Sequence, residues 1–321
     1  MSVDYSLSSS STWIQWLKEQ AFDQTLSIKI TTNGKEVCTL NGRDHYEVNI
    51  PEFTELLEKA LMTSGFIELF FSYSDPFKPT SKINSANMEA DMQKWFTNIL
   101  TKRFLAIDTN IIIDRTLSVL DLINPNKILN VLPIRIPRLS ILELERKTND
   151  TKNDIEKRLM FQGYSELLHL KDKGATTLQD LDIETLTGFT KISGSGRTDS
   201  WIRREISNAK KIPKLTLTEK LTGVSIAKFD EYVFITTDLV NSLSAIAEGI
   251  PTIYVSRMTD WQNKLRKGNL QQVARFLITL AVLHESINVE VNSKKFELVG
   301  MWHGKTVWDY GVEHARYRFL N

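Results

Sequence analysis

The stretch Phe104-Leu-Ala-Ile-Asp-Thr-Asn-Ile-Ile-Ile113 decides the fold class of this chain. Its first four residues are continuously apolar, which is typical of a strand that is buried on both faces of a parallel sheet. The Asp108-Thr-Asn110 triplet that follows consists of residue types that start helices, and an apolar helical stretch comes next. A buried strand that leads directly into a helix predicts an α/β fold.

The same alternation continues through the middle of the chain. Further apolar strands are predicted at residues 131–136, 232–236 and 250–255, and helices are predicted from Ser140, from Asp154 and after Asp238. Strands of this kind separated by helices indicate a central parallel sheet with helices on both faces. We therefore expect a three-layer α/β/α domain over residues 99–258.

The flanks on either side of this domain have mixed patterns and predict α+β segments at both termini. Residues 1–98 form an N-terminal accessory region, with a hairpin turn at Asn33-Gly34, a helix over residues 53–62, a strand at residues 66–71 and a breaker-rich loop over residues 72–84. Residues 259–321 contain a long amphipathic helix over residues 261–285, then a small antiparallel β unit. The long helix is interpreted as a core helix, with the surface of a homo-oligomer as the alternative. Because each set of flanking strands is too small to form a substantial sheet alone, we expect the two sets to pair in one sheet.

The bulk composition excludes several classes of protein. Of the 321 residues, 40 are basic and 39 acidic, so net charge gives no long-range attraction to nucleic acid, and any such binding must come from local patches. The single cysteine, Cys38, excludes an internal disulfide and a cysteine-based zinc site. The longest apolar run is far shorter than the ~20 residues that span a bilayer. With no secretory pattern at the start, these features predict a cytoplasmic protein with no membrane partner.

Four acidic residues lie where such a fold can bring them together: Asp108, Glu143, Asp199 and Asp238. Asp108 and Asp238 each follow a predicted strand, at the end of the strands where open α/β sheets bind ligands. Glu143 lies in an apolar part of a helix, where a buried carboxylate needs a cation or a metal. Asp199 opens a helix after a flexible Gly-Ser stretch. As the alternative, Asp108 and Asp199 act only as helix-start residues. Three further acids are weaker candidates: Asp114, Glu145 and Asp230.

The ordered set of acids resembles a known family. An Asp108-Thr-Asn triplet after an apolar strand, Glu143 in Ser-Ile-Leu-Glu-Leu-Glu, Asp199 at a helix start and Thr236-Thr-Asp238 before an apolar helix together resemble the PIN-domain nucleases over residues 103–256. Two features depart from the family. The stretch between Asp199 and Asp238 is long for a minimal PIN domain, and Thr237 stands where many members have asparagine.

The resemblance implies a metal-dependent endoribonuclease that hydrolyses phosphodiester bonds and leaves a 5′-phosphate and a 3′-hydroxyl. A site of oxygen ligands selects Mg²⁺ or Mn²⁺. Asp108 and Asp238 are expected to bind the metal directly, and Glu143 and Asp199 to bind it or orient its waters. Supporting hydrogen bonds are expected from Asn110 and Thr236. The basic side chains expected to meet phosphates, unless they merely form solvated helix faces, are Arg146, Lys147, Arg197, Arg203 and Arg204.

Two other functions compete with the endoribonuclease. A DNA nuclease acting on flaps or single strands is the first, although the denser acids and helical arch of flap endonucleases are not identifiable in this sequence. A catalytically inactive PIN-fold scaffold that binds RNA or protein is the second. The presence of all four acids argues against the scaffold, because a degenerate site would have lost at least one.

Overall fold

A computed structural model describes most of the chain. The described residues are 5–7, 10–20, 25–75, 78–85, 89–101, 103–123, 129, 132–178, 198–209, 231–257, 260–292, 294–301 and 314–319. Among the predicted site residues, Arg197 lies outside this part of the chain, as does the weaker candidate Asp230.

One of the two seven-stranded sheets is antiparallel and draws its strands from both ends of the chain. Its order is β1-β14-β13-β12-β2-β3-β4. The strands are β1 (Tyr5–Leu7), β2 (Leu26–Thr32), β3 (Lys35–Gly42), β4 (Tyr46–Asn49), β12 (Ser286–Val291), β13 (Lys294–Met301) and β14 (His314–Phe319). Val289 of β12 lies opposite Ile30 of β2, which confirms the expected pairing of N-terminal and C-terminal strands.

Three helices accompany the antiparallel sheet: α1 (Ser10–Gln20), α2 (Glu55–Thr63) and α10 (Leu270–His284). The expected helix over residues 261–285 begins later than the apolar pattern indicated. Asn269 caps α10 in a capping box with Gln272, and Trp261–Asn263 form a separate 3-10 turn. Most side chains of α10 are buried, which confirms that it is a core helix.

The second, central sheet is mostly parallel and has the order β6-β5-β11-β10-β7-β8-β9. Its strands are β5 (Leu69–Asp75), β6 (Lys78–Asn84), β7 (Arg103–Ile107), β8 (Ile134–Ile136), β9 (Thr176–Thr177), β10 (Glu231–Thr236) and β11 (Thr252–Arg257). The strands from β7 to β11 are mutually parallel, whereas β5 is antiparallel to β11 and β6 to β5.

The order of the parallel strands reverses between β7 and β10, which is where an open α/β sheet forms a crevice. From β7 the chain adds β8 and β9 on one side, and then returns to add β10 and β11 on the other. At such a switch point the two neighbouring strands lead into helices on opposite faces, which leaves a crevice beyond their carboxyl ends. Asp108 follows β7 and Asp238 lies just after β10, so both lie at this crevice.

Helices cover both faces of the central sheet: α3 (Glu89–Ile99), α4 (Thr109–Ile113), α5 (Thr116–Ile123), α6 (Arg138–Asp150), α7 (Asp154–Asp172), α8 (Thr198–Ala209) and α9 (Leu239–Ala247). On one face, Leu105 and Ile107 of β7 pack into a core with residues of α3, α4, α5 and α7. On the other face, Ala106 packs with Ile202 of α8 and Ala245 of α9. The alternation along one strand therefore produces the expected α/β class, with a mostly parallel sheet between helices.

The central sheet also contains strands that precede the expected boundary at residue 98. The hairpin of β5 and β6 lies within the expected accessory region, but it extends the central sheet at β11, and Met92 and Phe96 of α3 pack in the core of that sheet. The prediction of a loop over residues 72–84 was also wrong, because most of these residues lie in β5 and β6. The breakers in this stretch suit an edge strand, which tolerates proline, and β6 is the edge of this sheet.

Two expectations about the whole chain concern Cys38 and membranes. Cys38 lies in β3 with its thiol buried and free. Among the described residues, no helix combines the length and the apolar character that crossing a membrane requires.

Candidate metal centre

Three of the four predicted acids meet at the crevice. One carboxylate oxygen from each of Asp108, Glu143 and Asp199 lies within 4.8 Å of the other two. Asp108 and Glu143 are buried, and Asp199 is half-buried. They come from the end of β7, from the second turn of α6 and from the first turn of α8. Three elements that are distant in sequence thus converge on one point.

Asp108 is held in place by hydrogen bonds to both carboxylate oxygens. Its Oδ1 accepts the backbone N–H of Thr109 at 2.8 Å, so it does cap α4 as the alternative interpretation proposed. Its Oδ2 accepts the hydroxyl of Thr236 at 2.5 Å and the side-chain amide of Asn241 at 3.3 Å. Capping a helix and facing the cluster are therefore compatible roles of one side chain.

Glu143 is positioned by one hydroxyl and one cation. The hydroxyl of Thr109 donates to Oε2 of Glu143 at 2.6 Å, and Nζ of Lys147 lies 2.9 Å from Oε1. Lys147 is one helical turn beyond Glu143 on α6, so this ion pair follows from sequence spacing. The pair supplies the cation that burial of Glu143 was expected to need.

Burial and neighbouring charges raise the pKa of two of the three acids. Burial, together with the charges of Asp199 and Glu143, raises the pKa of Asp108 to about 7. Burial and the charges of Glu143 and Asp238 also raise the pKa of Asp199. Like charges held close together in a desolvated site disfavour full ionisation. The cluster would gain stability from any bound cation.

Asp238 is placed beside the cluster rather than within it. Its Oδ1 accepts the backbone N–H groups of Val240 at 2.7 Å and Asn241 at 3.0 Å, so it caps α9. Its charge still reaches Asp199, whose pKa it helps to raise. The predicted direct coordination by Asp238 stays a prediction, because the three acids that share one point are Asp108, Glu143 and Asp199.

Thr236 alone of the two predicted supporting residues contacts a carboxylate. Within the described part of the chain, the side chain of Asn110 makes no hydrogen bond to an acid of the site. The amide that does so belongs to Asn241, and Thr109 holds Glu143. Asn241 follows Asp238 by three residues in a predicted helix, so helical spacing was the signal that could have identified it.

The predicted phosphate-binding cations have different surroundings. Lys147 pairs with Glu143, and Arg146 lies 3.5 Å from Asp150 across one turn of α6. Arg203 is buried, pairs with Glu248 at 2.9 Å and donates to the side chain of Asn241. It therefore helps to orient Asn241, which in turn donates to Asp108. Arg204 lies over the ring of Trp201, 5.0 Å from its centroid, and this ring packs partly against the core of its face.

Glu205, which the sequence did not single out, fixes α6 against α8. Its carboxylate is buried and accepts the backbone N–H groups of Arg138 at 2.8 Å and Leu139 at 3.0 Å, at the start of α6. Burial raises the pKa of Glu205 to about 7. Since α6 carries Glu143 and α8 carries Asp199, this contact sets the distance between two members of the cluster.

The donor set fits a divalent cation that prefers oxygen. All three groups are carboxylates, and no cysteine or histidine belongs to the set that converges here. Hard oxygen ligands of this kind suit cations such as Mg²⁺, Mn²⁺ or Ca²⁺ better than soft metals. A divalent cation would also reduce the repulsion between the buried carboxylates of Asp108 and Glu143.

Comparison with known proteins adds little to this geometry. No family model matches the sequence, and no curated protein matches it. Among solved structures, the chain is similar to "a domain of a functionally unknown protein from Methanocaldococcus jannaschii DSM 2661", with 20% identity over 47% of this chain and 90% of that chain, and a TM-score of 0.32. A likeness at this TM-score supports no conclusion about fold or function.

Proposed function

We propose that this protein is a PIN-type, metal-dependent endonuclease that hydrolyses RNA. The observation that carries the proposal is the convergence of Asp108, Glu143 and Asp199 within 4.8 Å at the switch point of a parallel sheet. Fold alone would not justify an activity, because doubly wound sheets host many reactions. A buried carboxylate cluster at the ligand-binding edge is the more specific feature.

The order and placement of the acids support the PIN assignment. Asp108 follows the first parallel strand, Glu143 lies on the helix after the second, and Asp238 follows β10, which is the neighbour of β7. These are the relationships on which the sequence resemblance rests. The strands of the antiparallel sheet lie outside residues 103–256, so the resemblance does not cover this sheet.

The metal would be Mg²⁺ or Mn²⁺, held by Asp108, Glu143 and Asp199. When bound, such an ion supplies charge for the scissile phosphate and lowers the pKa of a bound water. The protein's own residues fix the geometry: Thr236 and Asn241 orient Asp108, and Thr109 orients Glu143. Among the described residues, both cap hydrogen bonds of Asp238 use Oδ1, so its Oδ2 would be available to a water of the site.

A pocket beside Glu143 offers a place for the nucleic-acid backbone. Its volume is about 390 Å³ and its lining includes three cations, Arg146, Lys147 and Lys152. Three acidic residues, Glu143, Asp150 and Glu156, line it too. Glu143 pairs with Lys147 and Asp150 with Arg146, so a metal bound to Glu143 would release Lys147 for a phosphate. Basic side chains beside a metal-binding cluster are the arrangement that a phosphodiester requires.

The test is a cleavage assay on the full chain with labelled single-stranded RNA, duplex RNA, single-stranded DNA and flap DNA. We expect RNA to be cut with Mg²⁺ or Mn²⁺ and not with chelator. Glu143→Gln should lower the rate by roughly 100-fold or more, because it removes a ligand. Glu145→Gln is the matched control, since Glu145 is exposed on the same helix and should leave the rate unchanged.

Each contrary result has a defined reading. Preferential cutting of a DNA substrate would indicate that the protein is a nuclease whose substrate is DNA and not RNA. Equal rates for the two glutamine variants would show that the carboxylate cluster takes no part in the cleavage reaction. Binding of RNA with no cleavage of any substrate would support the inactive scaffold instead.

A further inference from the structure

Lys147 supplies a positive charge at the carboxylate cluster itself. Its Nζ lies 2.9 Å from Oε1 of Glu143, while the hydroxyl of Thr109 donates to Oε2 of the same carboxylate. Burial and the charges of Glu143 and Asp238 raise the pKa of Asp199, and the charge of Lys147 offsets part of this rise. The ammonium group therefore acts on two of the three carboxylates of the cluster.

The Lys147 ammonium and a bound cation would compete for Glu143. Both carry positive charge, and both take a carboxylate oxygen as their partner. A divalent cation at the cluster would also repel the ammonium, because like charges a few ångströms apart destabilise each other. The side chain of Lys147 is 31% exposed and its stem is flexible, so it can turn away from Glu143 without disturbing α6.

The pocket beside Glu143, into which Lys147 would turn, has no net charge of its own. Along the described part of its wall, three positive charges face three negative ones: Arg146, Lys147 and Lys152 against Glu143, Asp150 and Glu156. Two of the cations are also paired, Lys147 with Glu143 and Arg146 with Asp150. Without a metal the pocket therefore offers a phosphate little electrostatic attraction.

We propose that Lys147 makes nucleic-acid binding depend on the metal. It neutralises Glu143 while no cation is bound, and it turns to a backbone phosphate of the substrate when a divalent cation binds at the cluster. This inference rests on the proposed nuclease function, and it adds a preferred order in which the cation binds before the nucleic acid. Since coupling free energies are reciprocal, the nucleic acid must also tighten the binding of the cation.

The first measurement is the affinity of the full chain for Mn²⁺ without nucleic acid, by isothermal titration calorimetry. We expect Lys147→Met to bind Mn²⁺ more tightly than the wild type by roughly 3- to 10-fold, because it removes the competing charge of a partly buried pair. Lys147→Gln removes the same charge and replaces this variant if methionine prevents folding. Lys152→Met is the matched control. It removes an exposed lysine from the same pocket, and its Mn²⁺ affinity should stay within about 2-fold of the wild-type value, as expected of a screened charge.

The second measurement is the Kd for a labelled single-stranded RNA, by fluorescence anisotropy in Ca²⁺ and in chelator. Ca²⁺ takes the same oxygen ligands, and a gel of each sample checks that the RNA is intact. For the wild type, Ca²⁺ should lower the Kd by roughly 10-fold or more. If Ca²⁺ supports cleavage, a 5′-phosphorylated ribonucleotide, which has no phosphodiester to cut, replaces the RNA.

Lys147→Met should separate the two states of the lysine in this measurement. In chelator its Kd should equal that of the wild type, because the wild-type lysine is then held by Glu143. In Ca²⁺ the gain in affinity should be smaller than in the wild type by roughly 5-fold, since one phosphate contact is missing. Lys152→Met should keep the wild-type ratio between the two conditions.

The opposite results would overturn the inference. Equal or weaker Mn²⁺ binding by Lys147→Met would show that the lysine does not compete with the cation. An RNA Kd that is independent of Ca²⁺, or that depends on Ca²⁺ equally in wild type and Lys147→Met, would show that the lysine does not couple the two ligands. Cleavage together with either result would retain the nuclease and reject the role of Lys147. Coupling through Lys147 without cleavage of any substrate would reject the nuclease and retain a cation-dependent binding protein.

Discussion

The hydroxyl of Thr236 donates a 2.5 Å hydrogen bond to Oδ2 of Asp108, across the boundary between β10 and β7. The same oxygen of Thr236 accepts the backbone N–H of Asp238 at 3.0 Å. One side chain therefore connects the two acids that end neighbouring strands. It holds the ends of the two strands together at the switch point.

Thr236→Val should weaken metal binding while leaving the fold intact. Valine has nearly the same shape, but it cannot donate to Asp108, whose carboxylate then loses a partner that favours the ionised form. We expect Mn²⁺ affinity to fall by roughly 10- to 100-fold, as for other residues that orient ligands. Isothermal titration calorimetry measures this. Thr252→Val is the control, because the buried hydroxyl of Thr252 in the same sheet donates to the carbonyl of Ile250 and, within the described part of the chain, to no acid of the site.

Addition of Mn²⁺ should stabilise the protein through the cluster. A ligand that binds only the native state at 100 times its Kd contributes about 2.7 kcal/mol, which corresponds to an increase in Tm of several degrees. Differential scanning fluorimetry with and without Mn²⁺ measures the shift. Asp108→Asn should abolish the shift, whereas Glu145→Gln should keep it. A full shift in Asp108→Asn would place the cation elsewhere.

Glu205 should make stability fall between about pH 4.5 and pH 7. Burial raises its folded pKa to about 7, above its ordinary value of 4.5, so the folded state binds the proton more tightly than the unfolded state. The contribution is therefore fully present below the unfolded pKa and is lost as the pH rises through the folded one. Relative to Glu205→Gln, the wild type should lose roughly 3 kcal/mol between pH 4 and pH 8. Urea denaturation at several pH values measures the difference, and a constant difference would contradict the assignment.

Glu166→Gln should destabilise the fold strongly. The buried carboxylate of Glu166 accepts the backbone N–H of Ser118 at 3.0 Å and lies 3.9 Å from Nε of Arg115. Arg275 of α10 is buried nearby, and burial together with the charge of Arg115 lowers its pKa well below the usual value. Removing the counter-charge from buried arginines costs roughly 3–5 kcal/mol.

Chemical denaturation of Glu166→Gln gives the loss of stability directly. Asp172→Asn, an exposed acid on the same helix, is the control and should change stability by less than about 0.5 kcal/mol. A similar small change in both variants would show that the arginines do not depend on Glu166.

The sequence by itself determined most of the secondary-structure elements of the central domain and the candidate acidic residues of the site. Continuous apolar runs set β7, β10 and β11, because strands of a parallel sheet are buried on both faces. The position of Asp108 and Asp238 directly after two of these strands predicted one shared edge, and the strands do lie side by side. The Asn33-Gly34 turn and the helices from Ser140 and Asp154 followed from equally local signals.

Only the tertiary structure decided which acids meet and what surrounds them. Glu143 and Asp199 reach Asp108 because α6 and α8 are fixed together by Glu205, a contact between residues more than sixty positions apart. Tertiary contacts also bury Arg203 beside Asn241 and join the hairpin of β5 and β6 to β11 of the central sheet. Local patterns report on neighbours within a turn or a strand, whereas distances between carboxylates depend on how whole helices and sheets pack.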